Sequence, residues 1–361
     1  MKLAAIVLAV PALAVPALAA GGAAPSPEAP QVPRAAHTAT LLGSGEVLIS
    51  GGCTVDSCEL DERGASTEVY DPATGRFRPG PALLRPRVGH GAVRLADGSV
   101  LVFGGWDLSS QTTSAERWRP GTAQFEPVAP MRTARGGFTA TKLLDGRVLV
   151  VGGSTSGRAL RSAELYDPAA GRFVATGSMR LARSAHTATL LADGRVLVAG
   201  GGVEGQGVFG SVEIWSPRTG RFTPAAPLLE RRHKHAAVAV RGGVLVVGGS
   251  DERDFAGRRS SAELYLTASR RWVRVGPLSG PRFKLGDAVV ALPGGGALVA
   301  GGGRGADRYD PAARRFRPGT GTGQVLSFAT ATRLRDGAVL VVGGYDDRIA
   351  LARGAWLLRP R

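Results

Sequence analysis

The chain is poor in cysteine, methionine and aromatic residues: two Cys, three Met, and Phe, Trp and Tyr together 6% of 361 positions. Two cysteines are too few for a structural zinc site, which takes four ligands. Scarce aromatics, held at packing positions, leave no stacking platform for nucleic acid. Beyond residue 19 no stretch carries twelve residues of helical periodicity, which excludes a helical domain. Paired carboxylates, a nucleophile elbow and a phosphate-binding loop are missing as well. Acidic residues are outnumbered, 29 against 45 Lys and Arg, a net charge of +16. That balance favours acidic partners such as anionic polysaccharide and lipid head groups, without fixing a fold.

One long apolar stretch is present, Leu3 to Ala19 after Met1-Lys2, broken by Pro11 and Pro16 and ending Ala17-Leu18-Ala19. It reads as a signal peptide, residues 1–19, with an Ala-x-Ala cleavage site. It is marginal for a membrane span, and no cysteine near the cleavage point marks a lipid anchor. Residues 20–28 read as a flexible leader, and the expected location is the periplasm or the exterior. In such a compartment Cys53 and Cys58, five apart in one loop, are expected to form a small disulfide.

What is abundant is glycine. Gly-Gly pairs start at Gly51, Gly104, Gly152, Gly200, Gly248, Gly301 and Gly343, at intervals of 53, 48, 48, 48, 53 and 42 residues. A period near 50 marks a repeat architecture. In the fourth repeat, Arg183 to Leu191 is β-branched and apolar, Ala192-Asp-Gly makes a turn, and Arg195-Val-Leu-Val-Ala runs into the glycines. A variable loop, the run Ser211-Val-Glu-Ile-Trp, a Ser216-Pro-Arg-Thr-Gly turn and Arg221-Phe-Thr-Pro complete it. Such turns supply the positive φ that short hairpins need. Four strands and three hairpins describe one propeller blade.

Aromatics recur behind each glycine pair: Tyr70, Trp118, Tyr166, Trp215, Tyr265, Tyr309 and Trp356, then Phe77, Phe125, Phe173, Phe222, Trp272 and Phe316. With the glycine pairs they make the chain resemble the Kelch-repeat family, including the galactose oxidase-like central domains, over nearly its whole mature length. The resemblance implies an all-β, seven-bladed β-propeller over residues 29–361 with four-stranded antiparallel blades. The seventh repeat has three strands of its own. The Pro-rich segment Ala29 to Arg34 is expected to supply the fourth and close the ring, covering an open edge.

Strand direction places the Asp-Gly and Pro-x-x-Gly turns on one face of the ring. The variable loops, Cys53–Ala65, Trp106–Thr113, Ser250–Ser260 and Tyr345–Arg353, fall on the other, where binding usually resides. On that face an arginine precedes each innermost strand: Arg34, Arg87, Arg135, Arg183, Arg232 and Arg282, with residues near Val325 in the slot of blade seven. Two readings stand side by side: the arginines cap backbone carbonyls at each blade crossing, or they ring the channel mouth and bind anions. In Kelch domains that recognise acidic peptides, arginines so placed make the contacts, and their planar fork suits carboxylate.

Three positions on come His37, His90, Phe138, His186, His235 and Leu285. The Phe and Leu favour packing over metal, with His233 and His235 the weak metal pair. Glu68, Glu116, Glu164, Glu213, Glu263 and Asp307 precede the third-strand aromatics by two and are expected to pair with an arginine or neighbouring strand. Copper radical chemistry of the galactose oxidase kind does not follow. Both cysteines share one loop, and Tyr70, Tyr166, Tyr265 and Tyr309 fill packing slots, leaving Tyr345 alone. The reading is a secreted, monomeric binding module without cofactor or sequence-specific nucleic-acid contacts, taking a protein, an anionic polysaccharide or an acidic sugar. The alternative is an enzyme of acidic sugars similar to the Kelch-type sialic acid epimerase.

Overall fold

The computed structural model describes residues 27–360. The expected signal peptide and residues 20–26 of the leader lie outside them. Among the described residues seven antiparallel blade sheets follow one another, with a two-stranded hairpin in the loops of blades three and four and almost no helix. Blade four shows the plan: strands Thr187–Leu190, Val196–Ala199, Val212–Ser216 and Arg221–Ala225 pair in simple succession. Blades one, two, three, five and six have the same order. Innermost strands of successive blades pack against one another around the ring, blade seven against blade one included.

The second strand of each blade is buried on both faces. Val196, Leu197, Val198 and Ala199 are wholly covered, and so are Val148 to Val151 one blade earlier. The core therefore lies between sheets. One cluster joins Leu149, Val151 and Leu165 of blade three to Val196, Val198 and Trp215 of blade four. The recurrent aromatics pair across strands three and four, as in Tyr166 with Phe173 at 4.8 Å and Tyr265 with Trp272 at 5.2 Å between ring centroids. Each ring buries a large apolar area in the wedge between blades.

The Gly-Gly pairs stand where neighbouring backbones meet. Gly201 donates to the carbonyl of Arg232 in the next blade at 2.9 Å. Gly200 and Gly201 take φ of +63° and +84°. A Cβ on Gly200 would sit 2.5 Å from the Arg232 carbonyl oxygen, so only glycine fits.

Blade seven contains three strands among the described residues, Thr330–Arg333, Val339–Val342 and Ala355–Leu358. Residues 29–34 form no strand and do not supply a fourth. They occupy the position of a blade crossing on blade one instead: Gln31 N–H donates to Glu68 Oε1 at 2.6 Å, and Glu28 N–H to the Gly75 carbonyl at 2.8 Å. Closure shows at Arg34, whose carbonyl accepts the Gly344 N–H at 2.9 Å.

Candidate functional site

The six repeated arginines are the largest polar side chains wholly enclosed by the protein, at 0–2% exposure. Each reaches from the crossing over the end of strand two to strand three of its own blade. Arg183 Nη1 donates to the carbonyls of Gly200 (2.8 Å) and Ser211 (2.9 Å), and Nη2 to Ser211 Oγ (2.9 Å) and Glu213 Oε1 (3.2 Å). Glu213 in turn accepts the Arg180 N–H at 2.9 Å, tying down the crossing. The same pairing joins Arg34 to Glu68, Arg87 to Glu116, Arg135 to Glu164, Arg232 to Glu263 and Arg282 to Asp307. Burial pulls each guanidinium below its ordinary pKa, and the facing carboxylate opposes that shift. The expectation of an arginine ring open to ligand is corrected here. Guanidiniums with internal partners and no exposed surface cap the blade crossings, and the acidic series is their counterpart. Leu326, not Val325, takes the slot in blade seven; its carbonyl accepts from Gly302 as the arginine carbonyls do in other blades.

The histidine slot lies one step further in. His37, His90, His186 and His235 each put Nε2 within 2.9–3.1 Å of a threonine hydroxyl of the preceding blade: Thr330, Thr38, Thr139 and Thr187. Where the preceding blade offers Gly91 or Ala236 at that position, the slot carries Phe138 or Leu285. His233 does not join His235 as a ligand pair. It lies 3.7 Å from Asp254, whereas His235 turns into the blade interface. Cys53 and Cys58 form the disulfide, inside the first variable loop.

The mouth itself is framed by main chain. Two positions after each arginine, Ala36, Gly89, Gly137, Ala185, Lys234 and Lys284, together with Phe328, adopt φ of +51° to +60°. Five of their N–H groups bond from blade to blade: Ala36 to the Phe328 carbonyl (3.0 Å), Gly89 to Ala36 (3.2 Å), Gly137 to Gly89 (3.4 Å), Lys234 to Ala185 (3.0 Å) and Phe328 to Lys284 (2.8 Å). With backbone fixed in this way, chemistry at the rim depends on which side chains occupy it. On blades one to four they are Ala and Gly, and the indole of Trp106 leans over Gly89 and Gly136.

On blades five to seven the rim becomes cationic and aromatic. Lys284 Nζ lies 5.1, 5.9 and 5.3 Å from the ring centres of Phe283, Phe328 and Tyr345. Among the described residues it has no carboxylate within 4 Å. Arg258 stacks on Phe255 at 3.7 Å, and Lys234 pairs with Asp254 at 2.7 Å. These groups come from three blades and the loop Ser250–Ser260, so no single repeat announces them.

Just inside, blade six departs from the others. Eight residues separate the arginine from the leucine opening the turn in blades one and four (Arg34 to Leu42, Arg183 to Leu191), but ten in blade six (Arg282 to Leu292). The additional pair, Gly286-Asp287, bulges toward blade seven, where the Asp287 carbonyl accepts the Ala331 N–H at 2.9 Å. Asp287 is exposed, yet the protein packed around its carboxyl desolvates it enough to raise its pKa.

Comparison with known proteins agrees with this architecture. The Kelch motif matches residues 86–132, 139–180 and 231–279. Among solved structures, a fungal alcohol oxidase of the AA5 family, in complex with copper, aligns with a TM-score of 0.72 at 18% identity, covering 93% of this chain and 76% of that one. At that identity the likeness concerns the fold. No curated protein sequence matches the chain. A copper site does not fit the residues present. No three His, Cys, Asp or Glu converge among the described residues, both cysteines are disulfide-bonded, and Tyr70, Tyr166 and Tyr309 are buried between blades. No described helix is long and apolar enough to cross a membrane.

Proposed function

We propose that this Kelch-repeat β-propeller is an interaction module whose variable-loop face receives an anionic ligand or an acidic partner surface at the axial mouth, centred on Lys284 with Lys234 and Arg258 beside it. The observation that carries this is Lys284: an ammonium without a carboxylate partner among the described residues, partly buried at the rim and walled by three aromatic rings. A cation so placed keeps much of its attraction for an incoming anion, because the rings exclude water on its flanks. The fixed main-chain ring beneath holds it in place. A net charge of +16 adds long-range attraction for the same partners. The six arginines, on which the acidic-sugar enzyme reading relies, are paired internally. The apolar leader and the Cys53–Cys58 disulfide support export to an oxidising compartment.

The test is titration of the intact mature chain with oligogalacturonate and with a poly-glutamate peptide at low salt. Lys284→Ala should weaken capture at least tenfold while leaving the melting temperature within about two degrees, and Lys284→Glu should abolish it. Unchanged affinity in both variants rejects the assignment.

A further inference from the structure

The opposite face, built of short hairpin turns, carries a second concentration of positive charge that the reading above does not use. The turn of blade one, Leu42-Gly-Ser-Gly, has glycine on both sides of Ser44. Long side chains from the flanking blades close on that gap. Arg335 of blade seven donates from Nη2 to the Gly43 carbonyl, and its Nε lies 3.3 Å from where a Cβ of Gly45 would stand. Arg94 of blade two brings Nη1 to 3.7 Å from the Cβ position of Gly43. Two guanidiniums thus converge on one residue. Beside them Lys142 Nζ donates to the Arg94 carbonyl at 2.9 Å, whereas Arg333, at the end of the innermost strand of blade seven, turns its Nη1 toward the Ala291 carbonyl of blade six at 3.5 Å. Among the described residues none of these four cations has a carboxylate within 4 Å. The acids of the neighbourhood are engaged elsewhere: Glu46 with Arg78 (2.7 Å) and Ser44, Asp97 with Arg117, and Asp336 with Arg359 (3.4 Å).

Like charges reaching over one turn from both sides repel, and an anion lying between them relieves that repulsion. A single carboxylate is satisfied by one guanidinium fork; two forks with a lysine on the flank match a group with more oxygens and more charge. We propose that this face holds a site for a phosphate-type oxyanion, formed over Gly43 by Arg94 and Arg335 and flanked by Lys142. Free phosphate esters and the head groups of an anionic membrane surface share that chemistry. The shallow, solvent-open position accepts either.

The experiment uses the full mature chain at low ionic strength with two probes, pyrophosphate by calorimetry and phosphatidylglycerol vesicles by co-sedimentation against phosphatidylcholine vesicles. The variant Arg94→Ala, Arg335→Ala is compared with a charge-matched control, Arg172→Ala, Arg271→Ala, at exposed positions of outer strands. The site predicts at least tenfold weaker binding in the first variant and less than twofold in the control, with Lys284→Ala behaving as the parent protein. Pyrophosphate binding without vesicle binding supports the site with a soluble ligand; the reverse supports it with a head group. Should loss of the Arg335 bond loosen the turn, Arg94→Ala alone must still reduce binding. Equal losses in variant and control, or no binding of either probe by the parent protein, overturns the proposal.

Discussion

His186 Nε2 lies 3.1 Å from Thr139 Oγ1, across the boundary between blades four and three. The contact recurs at three other junctions. Burial and the neighbouring arginine hold the His37 and His186 rings neutral, with pKa lowered to about 3, and His90 and His235 are lowered well below 6.5. The unfolded chain takes these protons near pH 6.5 and the folded chain does not. Stability is therefore full above about pH 6.5 and falls as pH drops toward 3, by ~1.4 kcal/mol per pH unit for each ring.

Thermal melts between pH 7 and pH 4 should show that slope. Replacing His186 by Phe together with Thr139 by Gly copies the junction where Phe138 meets Gly91, and should remove about a quarter of it. A slope untouched by the exchange assigns the acid sensitivity to other groups.

Breaking an arginine–carboxylate pair leaves an uncompensated charge in the blade. Glu164→Ala and Arg135→Ala should each lower unfolding free energy by about 3–5 kcal/mol in urea titrations. Replacing both together by Leu and Met should cost less than the sum of the single changes. Retained stability in either single variant contradicts the capping role of the pair.

Reduction of Cys53–Cys58, or Cys58→Ser, should destabilise the protein by about 2 kcal/mol, since the closed loop is short. The accompanying loss of protease resistance should be confined to Cys53–Ala65. Global sensitivity would instead show that the loop is part of the folding core.

A Cβ on Gly136 would stand 2.5 Å from carbons of the Trp106 indole. Gly136→Ala should therefore lower the melting temperature, and Trp106→Ala should relieve most of that loss when combined with it. Additive effects in the double variant exclude steric conflict as the cause.

Much of this fold could be read from residues because each blade repeats one packing problem. The glycine pairs, the strand-three aromatics and the Asp-Gly turns each answer a local steric demand, and seven copies outweigh any single ambiguous run. The arginine–acid pairing was half legible. Both series are constant in position, but the loops between them vary, so separations run from 25 to 34 residues. The stronger signal is that blade seven breaks both series together, with Leu326 in the arginine slot and Gly354 in the acid slot. Partners disappear in company; a row of ligand contacts has no need to. The Lys284 cluster and the convergence of Arg94 with Arg335 could not be read in advance. They are assembled from separate blades, and no repeat contains its own neighbours. The two-residue bulge of blade six was hidden within an interval lengthened further by the loop Ser250–Ser260.

The bond from Gly344 to the Arg34 carbonyl has a mechanical consequence. Six junctions of the ring have a covalent linker as well as main-chain hydrogen bonds, and the seventh, between first and last blades, relies on this tether, on the bonds from Ala36 N–H to the Phe328 carbonyl (3.0 Å) and Ser57 N–H to the Ile349 carbonyl (3.0 Å), and on side-chain packing. Under tension or partial denaturation the circle should part at that junction before any other, and a covalent staple placed there would convert the split ring into a continuous one.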